Sequence, residues 1–222
     1  MATVRPRQAG GYAAAAGFAV LLLGSLFLHE YAHARVAQRH GIRVRSITLW
    51  MFGGVSELDG DPERPRAELA IALTGPAATG AVAGACLLAV GPAHSAEAGL
   101  LEAGFGWLAV MNLVLLLFNL LPAAPLDGGR VLAAVIWWMV GDHAAAHRAA
   151  AVSGVVFGSA MAIAGLLLCL TTGAFGGLWL ILVGWFLAVS AHYERAADAA
   201  GGTAAPGRGP GRGPAVRSSD RR

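Results

Sequence analysis

Lysine is absent from this 222-residue sequence, and only 13% of its residues are charged. Hydrophobic residues make up 56% of the chain, and the mean hydropathy is +0.61. A water-soluble domain of this length could not bury so much apolar surface, so the composition predicts a membrane protein. The net charge is +3, but the arginines fall in loops and in the last residues, as charges flanking membrane segments do. We therefore expect no nucleic-acid partner.

Cysteine is almost as scarce as lysine. Cys86 and Cys169 both lie in apolar segments. Buried free cysteines behave as small hydrophobic side chains, and two of them this far apart do not indicate a disulfide framework. Disulfides are thus excluded as the source of stability, and we expect both residues to serve in packing.

Long apolar runs are what the chain has in abundance. About 20 apolar residues are needed to cross a bilayer as a helix. Five segments approach or exceed that length, at 11–36, 69–90, 103–121, 149–170 and 178–192. The predicted fold class is an all-α polytopic membrane protein with about five transmembrane helices.

Two short segments and the chain ends complete the predicted organisation. Residues 43–49 alternate polar and apolar side chains, and Gly53 and Gly54 follow as a turn signal, which predicts a short β-hairpin. Residues 131–140 are apolar but too few to span, which favours a half-buried or interfacial helix. We expect an N-terminal segment at 1–10, a transmembrane domain at 11–193 and a disordered Gly/Pro/Arg-rich tail at 194–222.

Arginine placement predicts the topology, because positive charges favour the cytoplasmic side. Six arginines lie in 35–66, two in 130–148 and six from residue 195 onward, whereas the connections 91–102 and 171–177 have none. Five crossings that leave the three arginine-bearing regions in the cytoplasm satisfy this pattern. The hairpin would then lie on the cytoplasmic side, and Arg5 and Arg7 would be exceptions outside.

The motif His29-Glu30-Tyr31-Ala32-His33 lies near the end of the first apolar segment. On a helix, His29 and His33 share one face and can reach a single zinc ion, and Glu30 is placed to take a proton from a metal-bound water. Ionisable groups are costly inside a membrane, so their presence favours a function. Zinc also needs a third protein ligand and an open position for water.

Asp127 is a candidate for the third ligand. It is the only acidic residue between Glu102 and Asp142, and it precedes Gly128 and Gly129. An aspartate at this place is also a common helix N-cap, so these residues alone leave both interpretations open.

A second histidine pair, His143 and His147, has the same spacing as the first. It lacks an intervening glutamate and lies next to Arg148. We therefore interpret it as part of a solvated turn at the membrane interface.

The two motifs together are highly specific. HEYAH in a membrane segment, followed by Phe52-Gly53-Gly54-Val55 and then by a run from Asn119 through Pro125-Leu126-Asp127-Gly128-Gly129, resembles the site-2 protease family of intramembrane zinc metalloproteases. The resemblance covers roughly residues 21–193. In relatives another membrane helix usually precedes the HExxH helix, and many carry nucleotide-sensing modules that this sequence does not show.

The resemblance implies that His29, His33 and Asp127 bind one Zn²⁺ per chain and that Glu30 is catalytic. It also implies that Asn119 lies at the active site and holds the substrate carbonyl. Gly53 and Gly54 correspond to the family's membrane-reentrant hairpin, which guides substrate.

The expected function is hydrolysis of peptide bonds within or near the transmembrane segments of other proteins. The expected substrate is a membrane-bound regulator, such as an anti-sigma factor or a transcription-factor precursor, and the expected location is the cell membrane as a multi-pass protein. The alternative is a non-proteolytic membrane metal-binding protein or scaffold, against which the intact Glu30 counts.

Overall fold

The computed structural model describes residues 6–50, 53–90, 96–173 and 175–203. The elements follow in chain order: α1 (Pro6–Arg39), β1 (Arg43–Trp50), β2 (Gly53–Asp59), α2 (Pro65–Ala89), α3 (Ala96–Asn119), α4 (Asp127–Val140), α5 (His143–Thr172) and α6 (Gly176–Thr203). The predicted segment 1–10 and tail 194–222 lie partly outside the described residues. In the parts of these two segments that the structure describes, α1 already begins at Pro6 and α6 continues to Thr203.

Five of the described helices, α1, α2, α3, α5 and α6, are long and apolar enough to cross a membrane. Large apolar side chains such as Leu23, Leu167 and Trp185 are exposed on the outside of the protein, where lipid would cover them. Helix α4 has 14 residues, or about 21 Å, and is too short for a hydrocarbon core of about 30 Å. The predicted fold class is therefore confirmed.

Helix α2 is the central element around which the site is built. It packs against α1, α3 and α4, and α4 in turn packs against α5. Helices α5 and α6 form a close pair. A Cβ atom added to Gly158 would lie 2.5 Å from the carbonyl oxygen of Gly184, so these two helices meet backbone to backbone. Such contacts between small residues are the usual basis of helix association in lipid.

The predicted hairpin is present. Strands β1 and β2 pair antiparallel, from Arg43 opposite Asp59 to Trp50 opposite Gly53, with an irregularity between Val44 and Ser46. The hairpin packs against α1. Gly53 and Gly54 are the first two residues of β2, directly after the connection between the strands.

Candidate metal centre

His29 and His33 lie in the last three turns of α1 on the face that meets α2. Their exposed fractions are only 3% and 7%, and their ring centroids are 4.8 Å apart. The helical repeat places residues four apart on one face, so the sequence spacing alone dictates this pairing. Burial comes from α2, which covers both rings.

Asp127 is the first residue of α4, and its carboxylate contacts both imidazoles. The Oδ2 atom lies 3.1 Å from Nε2 of His29, and Oδ1 lies 3.2 Å from Nε2 of His33. The N-cap position of α4 is Leu126, so the Asp127 side chain does not cap the helix. The structure thus favours the ligand interpretation over the cap.

The inward-facing atoms of the three side chains lie at similar distances from one another, with a different carboxylate oxygen of Asp127 against each imidazole. The two Nε2 atoms are 3.2 Å apart, close to their distances from the Asp127 oxygens. Tetrahedral zinc with bonds of about 2.0–2.1 Å requires ligand atoms about 3.3 Å apart. Two imidazoles and one carboxylate are also a donor set that catalytic zinc uses. The residues therefore fit a zinc ion with one position left open.

The outer nitrogen of each imidazole is fixed by α2. The Thr79 hydroxyl donates to the Gly75 carbonyl oxygen at 3.0 Å, so it accepts from Nδ1–H of His29 at 2.8 Å. His33 donates from Nδ1 to the Ile71 carbonyl oxygen at 2.7 Å. With both Nδ1 atoms protonated, the Nε2 lone pairs point towards the centre, as metal-binding histidines require.

Gly75 lies against the two imidazoles and permits their close approach to α2. A Cβ atom at this position would lie 2.7 Å from Nε2 of His29 and would also collide with Nε2 of His33. Gly75, Thr79 and Ile71 were not predicted from the sequence. A glycine beside Pro76 inside an apolar helix was the available signal, since glycine in such a place often marks a close contact.

Gly128 and Gly129 position the Asp127 carboxylate. A Cβ atom on Gly128 would lie 2.5 Å from the Leu120 carbonyl oxygen, and one on Gly129 would lie 2.5 Å from the Ala124 nitrogen. The first turn of α4 therefore rests directly on the backbone of the preceding segment. This contact holds Asp127, the first residue of α4, against the face of α1 that carries the two histidines.

Charge at the site favours metal binding. Burial on its own would raise the pKa of the Asp127 carboxyl, but its close contacts with His29 and His33 outweigh burial and lower that pKa to about 2. The carboxylate is therefore ionised at neutral pH, and ionised carboxylates are the form that binds metal.

The remaining predicted site residues lie around this centre. Glu30 is half-buried on α1, directly after His29. Asn119 is half-buried at the end of α3, and the contacts of the Asp127 carboxylate do not include it. Gly53 and Gly54 begin the strand β2 of the hairpin that packs on α1. The roles of these four residues stay predictions.

The second histidine pair differs from the predicted solvated turn. Asp142 caps α5 by accepting from the Ala145 nitrogen at 3.0 Å. His143 and His147, in the first turns of α5, are half-buried, and Nε2 of His147 lies 2.9 Å from Oε1 of the buried Glu68. The prediction failed because Glu68 comes from α2, and its contact with the start of α5 is not visible in the local sequence.

Comparison with known proteins agrees with this geometry. The model of peptidase family M50 matches residues 17–95 and 82–164. The chain is 44% identical over 203 residues to the candidate zinc metalloprotease Rip3 of Mycobacterium tuberculosis, covering 87% of this chain and 51% of that protein. It is 38% identical over 169 residues to the candidate zinc metalloprotease sll0528 of Synechocystis, covering 76% of this chain and 44% of the relative.

A third relative is the zinc metalloprotease MJ0392 of Methanocaldococcus jannaschii, at 36% identity over 120 residues, covering 53% of this chain and 33% of the relative. The chain thus spans about half or less of the length of these relatives. The match covers both the HExxH helix and the segment with Asp127. The chain belongs to peptidase family M50, the site-2 protease family of multi-pass membrane metalloproteases.

Proposed function

We propose that this protein is an intramembrane zinc metalloprotease that hydrolyses peptide bonds within or near the transmembrane segments of other membrane proteins. The observation that carries the proposal is the close cluster of the buried His29 and His33 with the half-buried Asp127, beside Glu30 at one end of a membrane-spanning helix. Membership in a peptidase family supports it further.

The chain's own residues have separate tasks in this reaction. His29, His33 and Asp127 would hold a zinc ion, which would supply Lewis-acid activation of a water and of the scissile carbonyl. The Glu30 carboxylate accepts the proton of the attacking water and then passes it to the leaving amine. The Asn119 amide donates to the carbonyl oxygen as negative charge develops there, a contact typically worth about 3 kcal/mol of barrier.

In this proposal the hairpin of β1 and β2 presents the substrate to the site. A helical substrate hides its peptide bonds in its own hydrogen bonds, so a segment must unwind before cleavage. An extended segment can pair with the open edge of a small sheet, and the strands β1 and β2 lie against the helix that holds the two histidines. In this proposal Gly53 and Gly54 let the substrate backbone approach β2 closely.

The substrate in this proposal is a membrane-bound regulator, such as an anti-sigma factor or a transcription-factor precursor, in the cell membrane. Cleavage falls nearer the arginine-rich side of the bilayer. His33 lies close to Arg39 along α1, about 9 Å by helical rise, whereas the other end of the helix is about 40 Å away.

The test is a comparison of membrane proteomes from cells that express the wild type, Glu30→Gln and Glu63→Gln. Glu63→Gln is the matched control, because this exposed residue lies outside the site. We expect fragments of membrane proteins with the wild type and the control and none with Glu30→Gln. Fragments that persist in Glu30→Gln, or zinc binding without any fragment in the wild type, would contradict the proposal.

A further inference from the structure

A second cluster of metal-binding side chains lies outside the HExxH site. It combines Glu68 from the first turn of α2 with His143 and His147 from the start of α5. One ligand atom from each residue lies within 4.8 Å of the other two. The two imidazoles are again four residues apart, with ring centroids 4.3 Å apart.

Burial makes this cluster unusual. Glu68 is 1% exposed, and taking a carboxylate out of water is costly unless its charge and oxygens find partners. Oε1 contacts His147 at 2.9 Å, but Oε2 is buried without a hydrogen-bond partner among the described residues. Nε2 of His143 is also buried without a hydrogen-bond partner among the described residues. An ion pair between Glu68 and His147 therefore leaves one acceptor oxygen and one imidazole nitrogen unexplained.

A divalent cation would satisfy all three side chains at once. Two imidazole nitrogens and one carboxylate are a ligand set that zinc uses in proteins, with further positions completed by water. Beside the cluster lies a cavity of about 240 Å³, lined by Glu68, His147, Pro125 and Gly129 and by Asp61 and Arg130, which are of opposite charge. This cavity has room for the water ligands.

We propose that Glu68, His143 and His147 form a second divalent-metal site, selective for zinc-like transition metals, that fastens the start of α5 to the start of α2. Its place suggests a structural task, because Gly129 in the cavity wall adjoins the turn that positions Asp127. The second ion comes in addition to the one expected at the HExxH site. Its existence does not depend on whether the protein cleaves peptides.

The first experiment measures zinc stoichiometry of the full chain in detergent by equilibrium dialysis and elemental analysis. We expect two zinc ions in the wild type, one in His143→Ala/His147→Ala, one in His29→Ala/His33→Ala and none in the combined variant. His40→Ala/His192→Ala, which removes two exposed histidines, is the matched control and should keep both ions. A wild type with one ion that is lost in His29→Ala/His33→Ala would overturn the proposal.

A second measurement guards against variants that fail to fold. A ligand that binds only the native state raises the unfolding temperature. Excess zinc should therefore raise the Tm of His29→Ala/His33→Ala, in which only the second cluster remains, and Glu68→Gln in that background should abolish the shift. No shift in His29→Ala/His33→Ala would overturn the proposal even if every other variant misfolds.

Discussion

The Thr79 hydroxyl sets the orientation of His29, a ligand in the proposed zinc centre, without lying at the metal position itself. Thr79 is fully buried and accepts the Nδ1–H of His29. In Thr79→Val this N–H would be left without an acceptor and the ring would be free to turn. Losing such a partner typically weakens metal affinity by about 10- to 100-fold. Competition titration with a chelator would measure the change.

Thr74→Val is the matched control for that substitution. Thr74 lies on the same helix, and its hydroxyl donates to the Ala70 carbonyl oxygen within that helix. We expect its zinc affinity to stay within about twofold of the wild type. An equal loss in both variants would assign the effect to α2 as a whole rather than to the His29 contact.

Gly75 tests whether the imidazoles need direct contact with the α2 backbone. In Gly75→Ala the new methyl group would collide with the His29 and His33 rings, so we expect zinc binding to be lost or weakened at least tenfold. Gly84→Ala on the same helix meets no atom within 4 Å and should bind normally. Zinc titration and circular dichroism of both variants would separate loss of the site from loss of the fold.

Asp127 and Asp142 are two aspartates at the starts of consecutive helices, with different tasks. Asp127→Asn keeps the shape but removes the ionised carboxylate, so zinc affinity should fall by at least tenfold. Asp142→Asn should leave it unchanged, because asparagine caps α5 as well as aspartate does. The opposite result in a zinc titration would remove Asp127 from the ligand set.

The sequence was most informative about residues whose chemistry is rare in a membrane segment. His29, Glu30, His33 and Asp127 stood out because they are ionisable groups among apolar neighbours. Thr79 and Gly75 did not, since small residues are common in α2 and their contacts arise only when α2 covers α1. Glu68 could have been singled out from the sequence, because it is the only acidic residue of α2.

Helix α4 depends on a close backbone contact at its start. A Cβ on Gly129 would lie 2.5 Å from the Ala124 nitrogen and 2.7 Å from the Ala123 carbonyl carbon, so Gly129→Ala would push α4 away from this segment. Overpacking of this kind typically costs about 1–3 kcal/mol. We expect a lower Tm together with weaker zinc binding, because Asp127 moves with the helix.

Gly106→Ala in α3 is the control, since a methyl group there meets no atom within 4 Å. Its Tm should equal or exceed that of the wild type, because alanine favours helix more than glycine does. Wild-type zinc affinity in Gly129→Ala would show that the position of Asp127 does not depend on this contact.

The elements themselves followed from simple patterns. Length and hydropathy identified the five membrane helices, and alternation identified the hairpin. The start of α4 was harder to predict from the sequence. Glycine is a poor helix former, so local preference placed the beginning of the helix at residue 131 rather than at Asp127. Contact of Gly128 and Gly129 with the preceding backbone overrides that preference.

Within the described residues, the arginine-bearing connections that precede α2 and α5 lie at one end of the molecule. The contact between Glu68 and His147 joins the starts of α2 and α5 there, while Gly165 and Gly177 meet near the opposite end. Positive charge favours the cytoplasm, so we expect the end with Glu68 to lie inside the cell. This arrangement agrees with the five crossings predicted from arginine counts.

Single cysteines in a Cys86→Ala/Cys169→Ala background would test this topology with an impermeant thiol reagent on intact cells. Asp61→Cys lies at the arginine-rich end and Thr171→Cys at the other, and both positions are exposed. We expect labelling of Thr171→Cys only, and labelling of Asp61→Cys once the cells are opened. Labelling of Asp61→Cys on intact cells would invert the predicted orientation.

The ligands of the candidate zinc centre are about a hundred residues apart in the chain. During synthesis α1 and α2 emerge first, so Thr79 and Ile71 can hold the two imidazoles before Asp127 has been translated. The carboxylate arrives only with α4, and α5 must then be made to support it. We therefore expect metal loading to be a late step of biosynthesis, because the proposed centre stays incomplete until most of the helices are in place.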